Sequence, residues 1–380
     1  MNENPGRRKA LFGIAGALGG ATVAAPFLAG ETPAQATTPA GQAVAWVGPA
    51  GSGAPYEIDT SVGAQGAINA ALTATGQGAV YIVGGTFTML APVVIGNEQT
   101  LIGAGPLSTI LTAGSGFSGA AMIMTPSGSF TGSRMCIRDI GLEGKNLVAN
   151  GVNLQISGNP TDYGPDPNPW LSRVFVSDTT SDGIYLGGSY SGGEREFKIT
   201  ECRVEHAGGW AYNLSSSDGF LGGCSVQGCT LGGYYLNGGN IKAAGCKAYY
   251  TGNTGNDTPG PAFHVATRAT IVGCEAQDGY GCGFEILAQN VVLNGCTADS
   301  CGNGTSGRYS AGFYVDGQGV NLSTASYQRS GGNGKQMYGI YLASGVDYLI
   351  ANVVSGPNAY SPFVSAVYGT AGSHSQVTAF

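Results

Sequence analysis

Three groups of side chains in this 380-residue sequence have the types and spacing to do chemistry. The densest is a charged band over 173–206, with Arg173, Asp178, Asp182, Glu194, Arg195, Glu196, Lys198, Glu201, Arg203 and Glu205. Crowded carboxylates can divide acid and base work, because proximity raises one pKa and leaves the other ionised. Glycoside cleavage uses such a pair, and the separation of the two carboxyls decides the stereochemistry. Glu205, beside His206, is the first candidate catalytic carboxylate, with Glu194 and Asp182 as further candidates and Arg203 as a substrate-binding cation. The competing reading is a solvated ion-pair patch formed with Arg195, Lys198 and Arg203. A second group is His264 with Glu285, an imidazole and a carboxylate suited to proton transfer. The third is aromatic: Tyr185, Tyr235, Tyr314, Tyr341 and Trp170. Such rings cover the apolar CH faces of a sugar, and the phenols bond its hydroxyls. Against this stands the plain suitability of tyrosine for exposed strands.

A repeat must position these residues. Cys202, Cys224, Cys246, Cys274 and Cys296 recur in similar contexts, and a second motif runs in step. It has the form small–apolar–x–apolar, from Gly151-Val152-Asn153-Leu154 through Gly183, Ala211, Gly233, Ala262, Gly283 and Gly312 to Gly339-Ile340-Tyr341-Leu342. Units of this length indicate a solenoid. Their alternation has period two and no helical period, so the unit is built of short strands. Strands of three to five residues joined by tight turns fit a parallel β-helix, with coils about 4.8 Å apart. The five cysteines then form an inward ladder of reduced thiols, too far apart for easy disulfides. Cys229, Cys282 and Cys301 stand off that ladder and are the better disulfide candidates. The x positions form an outward ladder of Asn153, Tyr185, Asn213, Tyr235, His264, Glu285, Tyr314 and Tyr341. A second outward ladder follows the cysteines by three residues: Glu205, Gln227, Tyr249, Gln277 and Asp299. Polar insertions at 157–169, 251–261 and 302–308 would wall a groove.

The first 36 residues look removable. Arg7, Arg8 and Lys9 precede an apolar stretch that ends in Ala34-Gln35-Ala36, a cleavage pattern. The twin arginine before Leu11-Phe12 resembles a twin-arginine leader, so secretion is expected, with 37–54 a linker and 55–380 one β-helix domain. Past Ala36, 13 Lys and Arg face 21 Asp and Glu. That balance opposes nucleic-acid binding and, after leader removal, membrane binding, and it disfavours polyanionic substrates. With 67 glycines and no G-X-Y period, the composition fits many tight turns rather than collagen.

Residues 64–72 (AQGAINAAL) have helical composition and could cap the open end of the solenoid. They precede GAVYIVGGTFTML and VVIGNEQTLIGAGPLSTIL. This order of helix, strand and turn resembles the pectin-lyase-like superfamily of right-handed parallel β-helix proteins, over roughly 55–355. The resemblance implies an all-β, right-handed parallel β-helix with a short N-terminal capping helix. Its activities are varied, so fold does not fix function. Glu194 and Glu205 are eleven residues apart, as in an Asp/Glu pair of some inulin fructotransferases of this superfamily, with Glu in place of the Asp.

The expectation is a secreted enzyme that cleaves or rearranges glycosidic bonds of a largely neutral polysaccharide through paired carboxylates, without a cofactor. One alternative is a Ca²⁺-dependent polyuronate lyase, for which Asp178, Asp182 and Glu205 with Arg203 or Lys247 would serve. The other is a non-catalytic, tailspike-like glycan-binding protein. Side-by-side homotrimers are compatible with the solenoid.

Overall fold

The computed structural model describes residues 44–126, 134–155, 169–187, 196–302, 307–329, 335–355 and 365–379. Short strands wind in coils, and every described strand pairing is parallel. The coil is three-sided. Face 1 carries the small–apolar–x–apolar strands and forms an 11-stranded sheet. Faces 2 and 3 follow in each coil, as Phe220–Gly222 and Ser225–Gln227 show, and together make a 20-stranded sheet. The architecture is the all-β parallel β-helix that the repeat predicts.

Single left-handed residues make the corners. Gly223, Gly245, Gly273 and Gly295 stand at φ between 59° and 62°, each just before a ladder cysteine. Glycine adopts this conformation at no steric cost, and a strand thereby turns within one residue. The second corner, after face 3, is built differently. His206, Tyr250 and Asp278 occupy it at φ 52°, 54° and 51°, and each accepts about 1–2 kcal/mol of strain; His206 and Tyr250 are exposed there, while Asp278 is buried.

Inside, equivalent residues stack coil on coil. Cys202, Cys224, Cys246, Cys274 and Cys296 are all buried and reduced. Each thiol donates to the carbonyl two residues earlier, as Cys202 Sγ does to Thr200 at 3.4 Å. Burial pushes Cys202, Cys229 and Cys301 up to about 12. All nine cysteines are free, so Cys229, Cys282 and Cys301 are buried thiols here and not disulfides. Behind face 1 runs an internal aromatic stack, Tyr212–Tyr234–Phe263–Phe284–Phe313, with centroids 4.6–5.0 Å apart. Each such pair adds about 0.5–1.5 kcal/mol beyond area burial. The stack holds five consecutive face 1 strands at one spacing.

The helix Ala64–Thr75 forms where the composition predicts it and buries Ile68, Ala71 and Leu72. Asn69 ties it to the first coils, donating to the Pro92 carbonyl and accepting from Val94 N–H. Gln99 donates to the carbonyls of Leu72 and Gly76 at the helix C-terminus. One boundary is corrected. The stretch 37–54, expected as a linker, contains the strand Val44–Pro49, which pairs with both Tyr56–Ile58 and Ala79–Ile82. Its alternating burial puts Ala45 and Val47 into the core, a pattern too short to stand out beside the Gly-rich turn that follows. The proposed leader, 1–36, lies outside the described residues.

Candidate functional site

Face 1 brings the outward x positions into one row, coil by coil. Asn153 pairs with Tyr185, then Asn213, Tyr235, His264, Glu285, Tyr314, Tyr341 and finally Tyr368. Parallel strands keep equivalent side chains about 4.8 Å apart, so Tyr235 to Tyr368 spans about 24 Å. The rings interact along the row. Tyr235 stacks on His264 with centroids 4.8 Å apart, and Tyr341 on Tyr368 at 4.5 Å.

Trp210 completes the first half of the strip. It lies three residues before Asn213, and its ring reaches Tyr235 at 5.2 Å and His264 at 5.7 Å. Gly232 makes room for that ring, since a Cβ there would stand 2.2 Å from Trp210 Cζ3. His264 is therefore bracketed by two aromatic side chains that fix its plane.

His264 Nδ1 meets Glu285 Oε2 at 2.6 Å. The carboxylate holds the proton on Nδ1, and Nε2 is left as the acceptor. The Glu285 side chain is only 9% exposed, so it acts as a buried orienting group. On its other side, Arg308 Nη1 stands 3.8 Å from Glu285 Oε1. Arg308 comes from the 302–308 insertion and packs its guanidinium against Tyr309 and Tyr314, 4.9 and 5.1 Å from the ring centroids. The Tyr309 hydroxyl, Tyr314 and the Glu285 charge all favour its charged form.

Beyond Arg308 a cavity of about 550 Å³ opens along the strip, lined by Arg308, Tyr314, Tyr341, Tyr368, Ser344 and Thr370 among others. Burial raises the phenols of Tyr314 and Tyr341, so both remain protonated donors. Tyr314 donates to Asp316 Oδ2 at 3.3 Å, and Asp316 is exposed on the same strand edge. At the other end, Asp182 accepts from Trp210 N–H at 2.8 Å and Asn213 Nδ2 at 2.9 Å. Burial raises its pKa, against the pull of those two hydrogen bonds.

Tyr185, Tyr235, Tyr314, Tyr341, His264, Glu285 and Asp182 thus share face 1 or its edge. Glu205 and Arg203 do not. They lie on face 3 and form an ion pair with one another. Glu205 borders a separate shallow hollow of about 250 Å³ with Glu143, Phe175 and Leu107. Other members of the charged band are likewise paired: Arg173 bonds Asp139 at 2.6 Å, and His206 meets Asp178 at 3.4 Å. Further along the same face, Arg329 bridges the buried carboxylates of Asp278 and Asp299. Trp170 stands on face 2 under Lys198 Nζ, 5.2 Å from its centroid, away from the tyrosines. Glu194 lies outside the described residues. Among the described residues, no three His, Cys, Asp or Glu side chains converge as metal ligands.

Four members of the strip escape the motif alone: Trp210, Arg308, Asp316 and Tyr368. Trp210 is three residues upstream of the x position, and Asp316 two downstream, where a search of x positions does not look. Arg308 sits in an insertion with no repeat register, and the last coil breaks the small–apolar–x–apolar pattern at its final position, as Ala366-Val367-Tyr368-Gly369.

Comparison with known proteins supports the architecture. No curated protein matches the sequence. Among solved structures, the chain is similar to tailspike protein 2 of Escherichia coli O157:H7 bacteriophage CAB120, with TM-score 0.56 and 15% identity over 76% of this chain and 40% of that one. It is also similar to the Acinetobacter phage vb_AbaP_AS12 gp42 tailspike (TM-score 0.52, 15% identity, 88% of this chain and 62% of that one). A third is Geobacillus virus E2 ORF18 (TM-score 0.51, 15% identity, 85% of this chain and 58% of that one). The chain spans less than two thirds of the length of each. At such identity the likeness concerns the fold. Residues 150–353, more than half of the sequence and all of the strip from Asn153 to Tyr341, match the family described as right handed beta helix region, and the chain belongs to that family.

Proposed function

We propose that this protein is an exported carbohydrate-active enzyme that lays a polysaccharide along face 1 and breaks or rearranges a glycosidic bond beside His264. The observation that carries this reading is the His264–Glu285 pair at 2.6 Å in the middle of an in-register aromatic row. Stacked rings supply flat, weakly charged platforms, and neighbouring phenols and amides supply hydrogen bonds. His264 Nε2 takes or gives the proton at the scissile linkage, and Glu285 stabilises the imidazolium that forms. Asp316, one coil beyond Glu285, is the exposed carboxylate of the site and can hold a water or stabilise positive charge on the ring. This differs from the expected Glu205–Glu194 pair in place and in chemistry.

The test is turnover on a panel of polysaccharides by the protein lacking 1–36, followed by new reducing ends and by absorbance of unsaturated products. Turnover of any member that falls by about 10²–10⁴-fold in H264Q, with the fold intact, supports the reading. Turnover unaffected by H264Q overturns it. The second reading is glycan binding without cleavage. It is favoured by one feature, the engagement of Glu285 by both His264 and Arg308, and it requires retained binding with no product from any glycan.

A further inference from the structure

The two halves of the strip differ in chemistry. The Trp210–Tyr235–His264 half presents aromatic faces, and no lysine or arginine stacks on those rings among the described residues. The second half is the cavity of about 550 Å³, whose lining holds one cation, Arg308, three phenols, two hydroxyl side chains and no carboxylate. Arg308 is rigidly placed by its contacts to the Tyr309 and Tyr314 rings. Its Nη2 donates to the Tyr309 hydroxyl at 3.1 Å, and the Tyr314 hydroxyl is a second hydrogen-bond partner. The Glu285 oxygen at 3.8 Å is beyond hydrogen-bond range, and the Arg308 side chain, 41% exposed, lines the cavity with donors left for a ligand. A guanidinium held flat with spare donors is built to grip a planar or tetrahedral oxyanion with two parallel bonds.

We infer that this cavity is a subsite for a sugar bearing a single negative group, a carboxylate or an ester sulfate, within a glycan whose neighbouring sugars are neutral. This rests on the glycan-binding reading of face 1 and narrows it. The whole-chain balance of 16 Lys and Arg against 23 Asp and Glu repels a polyanion. One cation beside an aromatic platform accepts one acidic unit and then neutral ones, which is the pattern of an acidic heteropolysaccharide. Tyr314, Tyr341 and Tyr368 would pack against the ring of the acidic sugar, with Tyr341 and Tyr368 donating to its hydroxyls, leaving its anionic group for Arg308.

The experiment is saturation-transfer NMR on the protein lacking 1–36, with methyl glucoside, methyl glucuronoside and glucose 6-sulfate as probes. The expected result is at least threefold stronger transfer to one or both anionic probes than to the glucoside. That preference vanishes in R308Q, is reduced but not lost in R308K, where one charge remains without the paired donors, and weakens with added salt. Which anionic probe leads distinguishes carboxylate from sulfate as the source. Equal transfer to all three in the native protein, or a preference that persists in R308Q, overturns the inference and leaves the glycan reading standing. Transfer to none of the three overturns both.

Discussion

At the scale of residues, the chemistry rests on how one imidazole is held. Glu285 fixes the His264 tautomer from below, and Tyr235 and Trp210 fix its plane. E285Q keeps the shape but loses the charge that stabilises the imidazolium, so turnover should drop by about 10²–10⁴-fold with binding retained, as steady-state kinetics would show. Asp182 makes a separate prediction. Its folded pKa lies above the ordinary 3.8 because of burial. The folded state therefore binds the proton more tightly than the unfolded chain does. Stability is greatest at low pH with respect to this group and declines as pH rises from about 3.8 through the raised value. D182N should remove that decline, and melting temperature against pH is the measurement. An asparagine can be accommodated here, because the buried Asn213 Oδ1 has no partner within the described structure and can accept from it. Both His264 and Glu285 were legible in the sequence as x positions of adjacent repeats. Their contact was not, because register fixes a neighbour about 4.8 Å away but not which rotamers meet.

At the scale of elements, each face 1 strand is a carrier for one outward residue, and the corners decide which faces share a groove. The sequence pattern identified the outward ladders of faces 1 and 3 with their registers intact. It did not show that they stand on different faces, because single left-handed corners at Gly223 or His206 carry no strong local signal. Glu205, high in local charge density and heading the second outward ladder, stands on face 3 away from the tyrosines of face 1. The insertion ending in Arg308 was legible as a groove wall, whereas its contact with Glu285 depends on how the loop folds back. Gly232 offers a test of the strip at this scale. In G232A the new Cβ meets the Trp210 ring at 2.2 Å and the Pro261 carbonyl at 2.5 Å. Overpacking of this kind costs about 1–3 kcal/mol. Indole fluorescence should shift as Trp210 is displaced from His264, and turnover should fall while Arg308-dependent binding at the far cavity persists.

At the scale of the whole molecule, stability is spread along the stack, since each coil rests on its neighbours. The cysteine ladder illustrates this. Eight of the nine thiols are buried, and burial raises Cys202, Cys229 and Cys301 to about 12. A thiol reagent at pH 8 should leave these eight silent in the native protein and titrate all nine after denaturation; fast native labelling beyond Cys136 would show that the coils open. The solenoid was the most legible feature, because eight copies of one motif specify strand, period and facing together. The function was less so, since a β-helix presents three faces and the same polar and aromatic residues recur on two of them. The most direct test of the central claim therefore sets the faces against each other. Turnover of the best glycan in the panel should be compared for E285Q and E205Q, with circular dichroism confirming that both fold. Loss of turnover in E285Q with E205Q near the native rate is the expected result, and the reverse, native turnover in E285Q with E205Q inactive, would place the active site on face 3 and contradict the account.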